Sequence, residues 1–199
     1  VPSVPPPPPV PTTTSVTTPT TLPAPSTTST SLPPTTTTVA GPVDIGNGLS
    51  IVPASGWTVT QAPTSSDEVA FLSSSTPPGL LSVSSSGSAK NPTSDLQQLA
   101  SSLTSGSTPI FTNFSDNGIQ TSTLSGASLP NVALEDFQAT VPSGGPASGP
   151  NGQVFGTLFV VEGSASTPFA FGEFQSDNNN DYQSLAASVS RMITSVAAS

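Results

Sequence analysis

The side chains of this chain that could move a proton or hold an ion are nearly all acids. Eleven Asp and Glu stand against two basic residues, Lys90 and Arg191, and there is no His and no Cys. An imidazole base, a thiolate nucleophile, a disulfide and a Cys- or His-built metal site are therefore excluded. What chemistry remains belongs to carboxylates, hydroxyls and amides. Glu135-Asp136 is an adjacent acidic pair. Neighbours in a strand point to opposite faces, so these two are not expected to share a substrate, and the one that turns inward should have a raised pKa. Asp177-Asn178-Asn179-Asn180-Asp181 is rich in oxygen, but it lacks the spaced acids, central Gly and closing Glu of a calcium loop. It reads instead as a helix start, with Asn178 as cap and Asp181 in the positive first turn. Ser is abundant but has no activator: Gly87 stands three residues before Lys90, so there is no Ser-x-x-Lys. Ser86 and Ser88, near Lys90 in the chain, make a weak dyad with it. Lys90 reads as a solvated turn residue. No catalytic, cofactor-binding or metal-ligating residue is assigned, no cofactor is expected, and the chain is read as a non-enzyme; an enzyme working by carboxylates alone ranks third among the functions considered.

The formal net charge of −9 bears on partners. Nucleic-acid binding needs clustered Lys and Arg to displace condensed counterions, and two isolated cations cannot supply them. The same shortage argues against anionic lipids and anionic polymers. No stretch reaches the roughly 18 consecutive apolar residues of a membrane span.

Composition divides the chain at residue 42. Through Pro42 there are 13 Pro, 14 Thr and 5 Ser and no charge. Pro lacks an N–H and fixes φ, and too few large apolar residues are present to offset ordering entropy. Residues 1–42 are thus expected to be a disordered stalk, part polyproline II, reaching at most ~130 Å at ~3 Å per residue. The composition is also that of O-glycosylated stalks, which leaves modified and plain forms both open. The sequence opens at Val1 within this tract, and the expectation is that a signal peptide or membrane tether precedes it. The triplet Asn113-Phe114-Ser115 is an N-glycosylation sequon, a short pattern that often arises by chance and is expected to be silent.

Residues 43–199 have the apolar spacing of one folded domain, long enough to bury roughly two-thirds of its unfolded surface. Strands are expected at Leu49–Val52, Trp57–Thr60, Val69–Leu72 and Leu80–Val83, with turns at 53–56 and 77–79. Leu96, Leu99, Ala100 and Leu103 form one helical stripe, capped by Thr93 or Ser94 and ended by Gly106. Ile110–Phe114 and Ile119–Leu124 flank Asp116-Asn117-Gly118, which predicts a tight hairpin. Val132–Val141 and Gln153–Val161 flank a loop at 142–152, and Thr167–Phe174 is the last strand. Val154–Val161 is apolar on both faces, as in a central strand covered on both sides. Tyr182, Leu185, Ala186, Val189, Met192, Ile193 and Val196 give the clearest helix, with a face that packs on a sheet. Strands and helices do not alternate, so the fold class is α+β: a mainly antiparallel sheet covered by two helices.

Ile51-Val52-Pro53-Ala54-Ser55-Gly56-Trp57 resembles the strand, Pro, Gly-Trp, strand opening of the Mog1/PsbP-like fold. A helix after the early strands and a closing amphipathic helix fit it. In mycobacteria and their relatives this fold occurs in LpqN/LpqT-type lipoproteins and in a secreted proline-rich antigen, and the proline-rich flank is similar in character. The family carries more charge than this chain. The resemblance implies an actinobacterial envelope or secreted location and a non-enzymatic role, and carries over no site residues. Two functions are expected. One is a monomeric interaction module on a Pro/Thr stalk, touching an unknown protein through Ser/Thr/Asn-rich loops such as 142–152. The other is a carrier of a small apolar ligand or lipid. It would use a pocket among Trp57, Phe155, Phe159, Phe169, Phe171 and Phe174, which otherwise read as core.

Overall fold

The computed structural model describes residues 41–61, 68–73, 77–142 and 148–199. The expected disordered stalk lies outside the described residues except for Gly41 and Pro42. So do the polar break at 64–67 and residues 143–147 of the expected contact loop.

The chain is α+β, with two helices and strand pairs that are antiparallel throughout the described residues. The described residues open with a hairpin: β2 (Leu49–Ile51) is the first expected strand, and β1 (Val43–Gly46), which pairs with it, is a strand that periodicity did not mark. Asn47 and Gly48 between them have φ of 52° and 71°. Both left-handed values are what an Asn-Gly hairpin turn requires, so the signal was present in the dipeptide. β3 (Trp57–Gln61), β4 (Glu68–Ser73) and β5 (Gly79–Ser86) follow as a meander.

α1 (Pro92–Thr104) is the first predicted helix, but its cap is neither Thr93 nor Ser94. Asn91 is extended, and its side chain accepts from the Ser94 N–H at 2.9 Å. Pro92 then takes the first helical position, where its missing N–H costs nothing.

The hairpin predicted at Asp116-Asn117-Gly118 does not form. β6 (Thr112–Asp116) and β7 (Gln120–Thr123) both pair with β8 (Asn131–Thr140), as consecutive segments of one interrupted edge strand. The Asp116 carboxylate accepts from the Gly118 N–H at 2.8 Å, and the Asn117 N–H donates to the Asp136 carbonyl at 3.0 Å. The three residues make a local bend held by a side chain, and the strand resumes on the same partner. An Asx turn and a hairpin turn use the same residues; only the partner strand distinguishes them.

β9 (Gln153–Glu162), β10 (Phe169–Ser176), α2 (Asn179–Thr194) and β11 (Ala197–Ala198) complete the chain. The main sheet runs β3-β4-β5-β10-β9-β8-β6, with β7 also on β8, and β11 returns to β2 in a small second sheet. β9 lies between β10 and β8 and is covered on both faces, as its apolar run predicts. On one face Phe159 and Val161 join Leu185, Val189, Met192 and Ile193 of α2, with Trp57, Phe71, Leu81 and Phe174. On the other, Leu158 and Val160 join Leu96 and Leu103 of α1, with Phe111, Ala133 and Phe137. The two cores thus lie back to back on β9, and β8 and β10 on either side of it also give residues to both. The backbone is closely drawn there: a Cβ on Gly172 would lie 2.9 Å from the Phe159 ring and closer still to the Ser82 carbonyl.

Candidate functional site

Glu135 and Asp136 sit on opposite faces of β8, as strand geometry demands. Glu135 points towards the α1 side, 7 % exposed, and one of its oxygens has no hydrogen-bond donor near it. Burial raises its pKa, and the neighbouring Asp116 carboxyl adds to the rise through its charge and a hydrogen bond. A second pair of the same kind, invisible to spacing, lies at the start of α1. Glu162, 3 % exposed and also with a donorless oxygen, faces Asp95, 8 % exposed. Burial first, then the Asp95 carboxyl, push Glu162 up to about 7. Asp95 takes the Lys90 backbone N–H at 2.7 Å. Two carboxyls can hydrogen-bond only if one keeps its proton. These pairs are therefore proton-sharing fastenings: one ties α1 to β9, the other the edge strand to β8.

Asp136 has a different surrounding. Tyr182 of α2 and Thr157 of β9 both donate to its Oδ1 at 2.8 Å, and their own oxygens stand 2.9 Å apart. Two hydroxyl protons serve three close approaches, so Asp136, Thr157 and Tyr182 form one hydrogen-bonded cluster. Burial pushes the Tyr182 hydroxyl up to about 12; the bond to Thr157 opposes this and Asp136 adds to it. The phenol thus stays a donor at neutral pH. Tyr182 also stacks on Phe174, ring centres 5.7 Å apart, so its position is fixed from both sides.

Along the α2-facing side of β8 the residues are Val132, Leu134, Asp136, Gln138 and Thr140. The apolar character stops at Asp136, where the cover of α2 ends. Beyond it the sheet forms an open polar shelf. A cleft of ≈ 290 Å³ is lined by Asp136, Gln138, Asn117, Ser115, Phe155, Tyr182, Asn179 and Gln183 among others. A second, of ≈ 260 Å³, shares Gln138 and continues past Asn113, Thr140, Asn151 and Gln153. The bend at Asp116–Gly118 places Asn117 here, a common use of strand irregularities. Asn113 and Asn151, at φ 50° and 61°, are left-handed on the rim. Sequence reading missed this shelf because its amides come from both helical and strand segments far apart in the chain.

The remaining candidates have local roles. Asn178 caps α2, accepting from the Asp181 N–H at 3.0 Å while its amide donates to both Asp177 and Asp181. That is the helix start expected of the acidic stretch. Lys90 shares a groove with Ser86 and Ser88, but its ammonium donates to Gln98 at 3.3 Å. The six aromatic residues considered as a pocket divide between the two faces of the sheet, with ring contacts only within each face: Trp57 with Phe174 at 6.2 Å and Phe169 with Phe171 at 5.5 Å. Trp57, Phe159 and Phe174 are buried on the α2 side, whereas Phe169 and Phe171 pack with the α1 core. Phe155 is half-buried at the shelf. Among the described residues no helix is long and apolar enough to cross a membrane, and no three acids converge as metal ligands. No protein-family model and no curated protein matches the chain.

Proposed function

We propose that residues 43–199 are a non-catalytic interaction module of the cell surface or envelope, of Mog1/PsbP-like fold, with the Pro/Thr/Ser-rich residues 1–42 as its spacer. An actinobacterial source belongs to the same reading. The observation that carries it is the division of polar and apolar groups. Most large apolar side chains of the described residues lie in the two cores, with Phe71, Phe111, Phe159, Phe174 and Leu158 at 0 % exposure. What faces outward is the hydrogen-bonding shelf. An apolar-ligand carrier needs internal space between β10 and α2, and that space is occupied by Phe174, Leu185 and Met192. The buried acids are engaged with each other or with hydroxyls and do not converge on one reaction centre.

Native mass spectrometry of the full chain from its own host tests this. A mass equal to the polypeptide plus any tail glycans is expected. A stoichiometric lipid or other apolar molecule that survives desolvation would replace the module with the carrier.

A further inference from the structure

We propose that the amide-lined shelf from Tyr182 across Gln138 to Gln153 binds a neutral, linear oligosaccharide. This rests on the interaction-module reading and gives its ligand a chemical class.

The lining carries the argument. Each Asn or Gln offers a carbonyl acceptor and two N–H donors side by side. A sugar presents adjacent hydroxyls, each at once donor and acceptor, and a planar amide or carboxylate can engage two of them together. Asn117, Gln138, Asn179 and Gln183 line the first cleft, Asn113, Asn151 and Gln153 the second. Gln138 belongs to both, so the two clefts form one elongated surface, suited to a chain of sugars. The charge excludes the alternatives. Asp136 is the one ionisable acid among the lining residues, and neither cation of the chain lines either cleft. On a chain of net charge −9 such a site repels phosphates and uronates. Lipid is excluded by the lining itself, which is polar apart from Phe155, Phe137 and a few small residues. The half-buried Phe155 ring supplies a flat apolar patch, as the C–H face of a pyranose requires. The groups are also held in place. Gln138 and Phe155 stand on central strands, and Tyr182 and Thr157 pin Asp136 from two sides. Preorganised donors and acceptors lose less freedom on binding.

The chain has one tyrosine and one tryptophan. Tyr182 lies in the cleft, and Trp57 is buried and bonded to Ser188 of α2 at 3.1 Å. Their ring signals in proton NMR therefore report the site and the core separately. The full chain is titrated with maltotriose, mannotriose, arabinotriose and chitotriose, and with digalacturonate as the anionic comparison. At least one neutral trisaccharide is expected to move Tyr182 saturably and leave Trp57 in place, with digalacturonate weaker. Gln138→Ala and Gln183→Ala, both at exposed positions, should each weaken binding about fivefold, the worth of one hydrogen bond. Their melting temperatures should not change. No movement of Tyr182 with any neutral sugar, equal binding of digalacturonate, or full binding in both variants would overturn the proposal. In parallel, a photo-crosslinker at residue 183 in the host envelope separates the two levels. A specific protein adduct without sugar binding removes the carbohydrate class and keeps the interaction module; no adduct and no sugar binding removes both.

Discussion

Glu162 is the residue whose surroundings make the firmest demand. Its carboxyl is enclosed between β9 and α1, and the group opposite it is another acid, Asp95. In the unfolded chain Glu162 releases its proton near its ordinary 4.5; in the folded chain it holds it up to about 7. The folded state therefore binds more protons across that interval. Its contribution to stability is fully present below 4.5 and is lost as pH rises through 7. Glu135, raised by burial and by Asp116, works in the same direction. The other groups around Glu162 do not reverse the sign: Asn131 and Phe169 pair with it across the sheet, and Lys90 gives Asp95 its backbone N–H. Melting temperature should thus be higher at pH 5 than at pH 8. Glu162→Gln, whose amide can donate to Asp95 at any pH, should reduce that difference, with most of its gain at pH 8. Equal slopes in variant and parent would show that the pair is not the cause. A second residue-scale consequence concerns Gly172. Its Cβ-less backbone lets β10 lie between Ser82 and Phe159, so Gly172→Ala should cost about 1–3 kcal/mol in chemical denaturation, the usual range for overpacking.

The elements show which parts of this fold are local. α2 and β9 were legible because each carries its evidence within one short window: a seven-residue stripe for the helix, an unbroken apolar run for the strand. The cap at Asn178 was legible for the same reason. Asn178→Ala removes the acceptor for the Asp181 N–H and the amide that donates to both Asp177 and Asp181. It should cost about 0.5–2 kcal/mol, and a variant of parental stability would mean that the first turn is held by Tyr182 alone. The edge strand shows the opposite case. Asp116-Asn117-Gly118 has hairpin composition, yet the residues before and after it pair with the same strand. No window around the tripeptide contains that partner, which begins at Asn131. The choice of Thr93 or Ser94 as cap failed for a smaller reason: Pro92 fits the first helical position better than a place before it. The carboxyl pairs and the polar shelf depend on contacts between distant segments and left no trace in spacing. Only the inward turn of one member of Glu135-Asp136 was foreseeable, from the alternation of a strand.

At the scale of the whole molecule, β9 has Leu158 and Val160 in one core and Phe159 and Val161 in the other. Neither helix can leave without exposing a face of the same strand, so the two cores should unfold as one unit despite lying on opposite sides of the sheet. Leu96, fully buried under α1, and Trp57, beneath α2, make this measurable. Leu96→Ala leaves a cavity on the α1 side and should cost about 2–5 kcal/mol. If the cores are coupled through β9, Trp57 fluorescence on the far face will shift its denaturation midpoint by the same amount as the far-ultraviolet circular dichroism, which averages over the domain. If α1 instead melts as a separate unit, the circular dichroism will show an early transition that Trp57 does not report. Coupling also bears on the shelf. Asp136 and Gln138 belong to β8, whose other face is packed under α1, while Tyr182 and Gln183 belong to α2. The binding surface is therefore assembled from both halves of the domain, and a change in the α1 core that separated them would disturb it from the opposite side of the sheet.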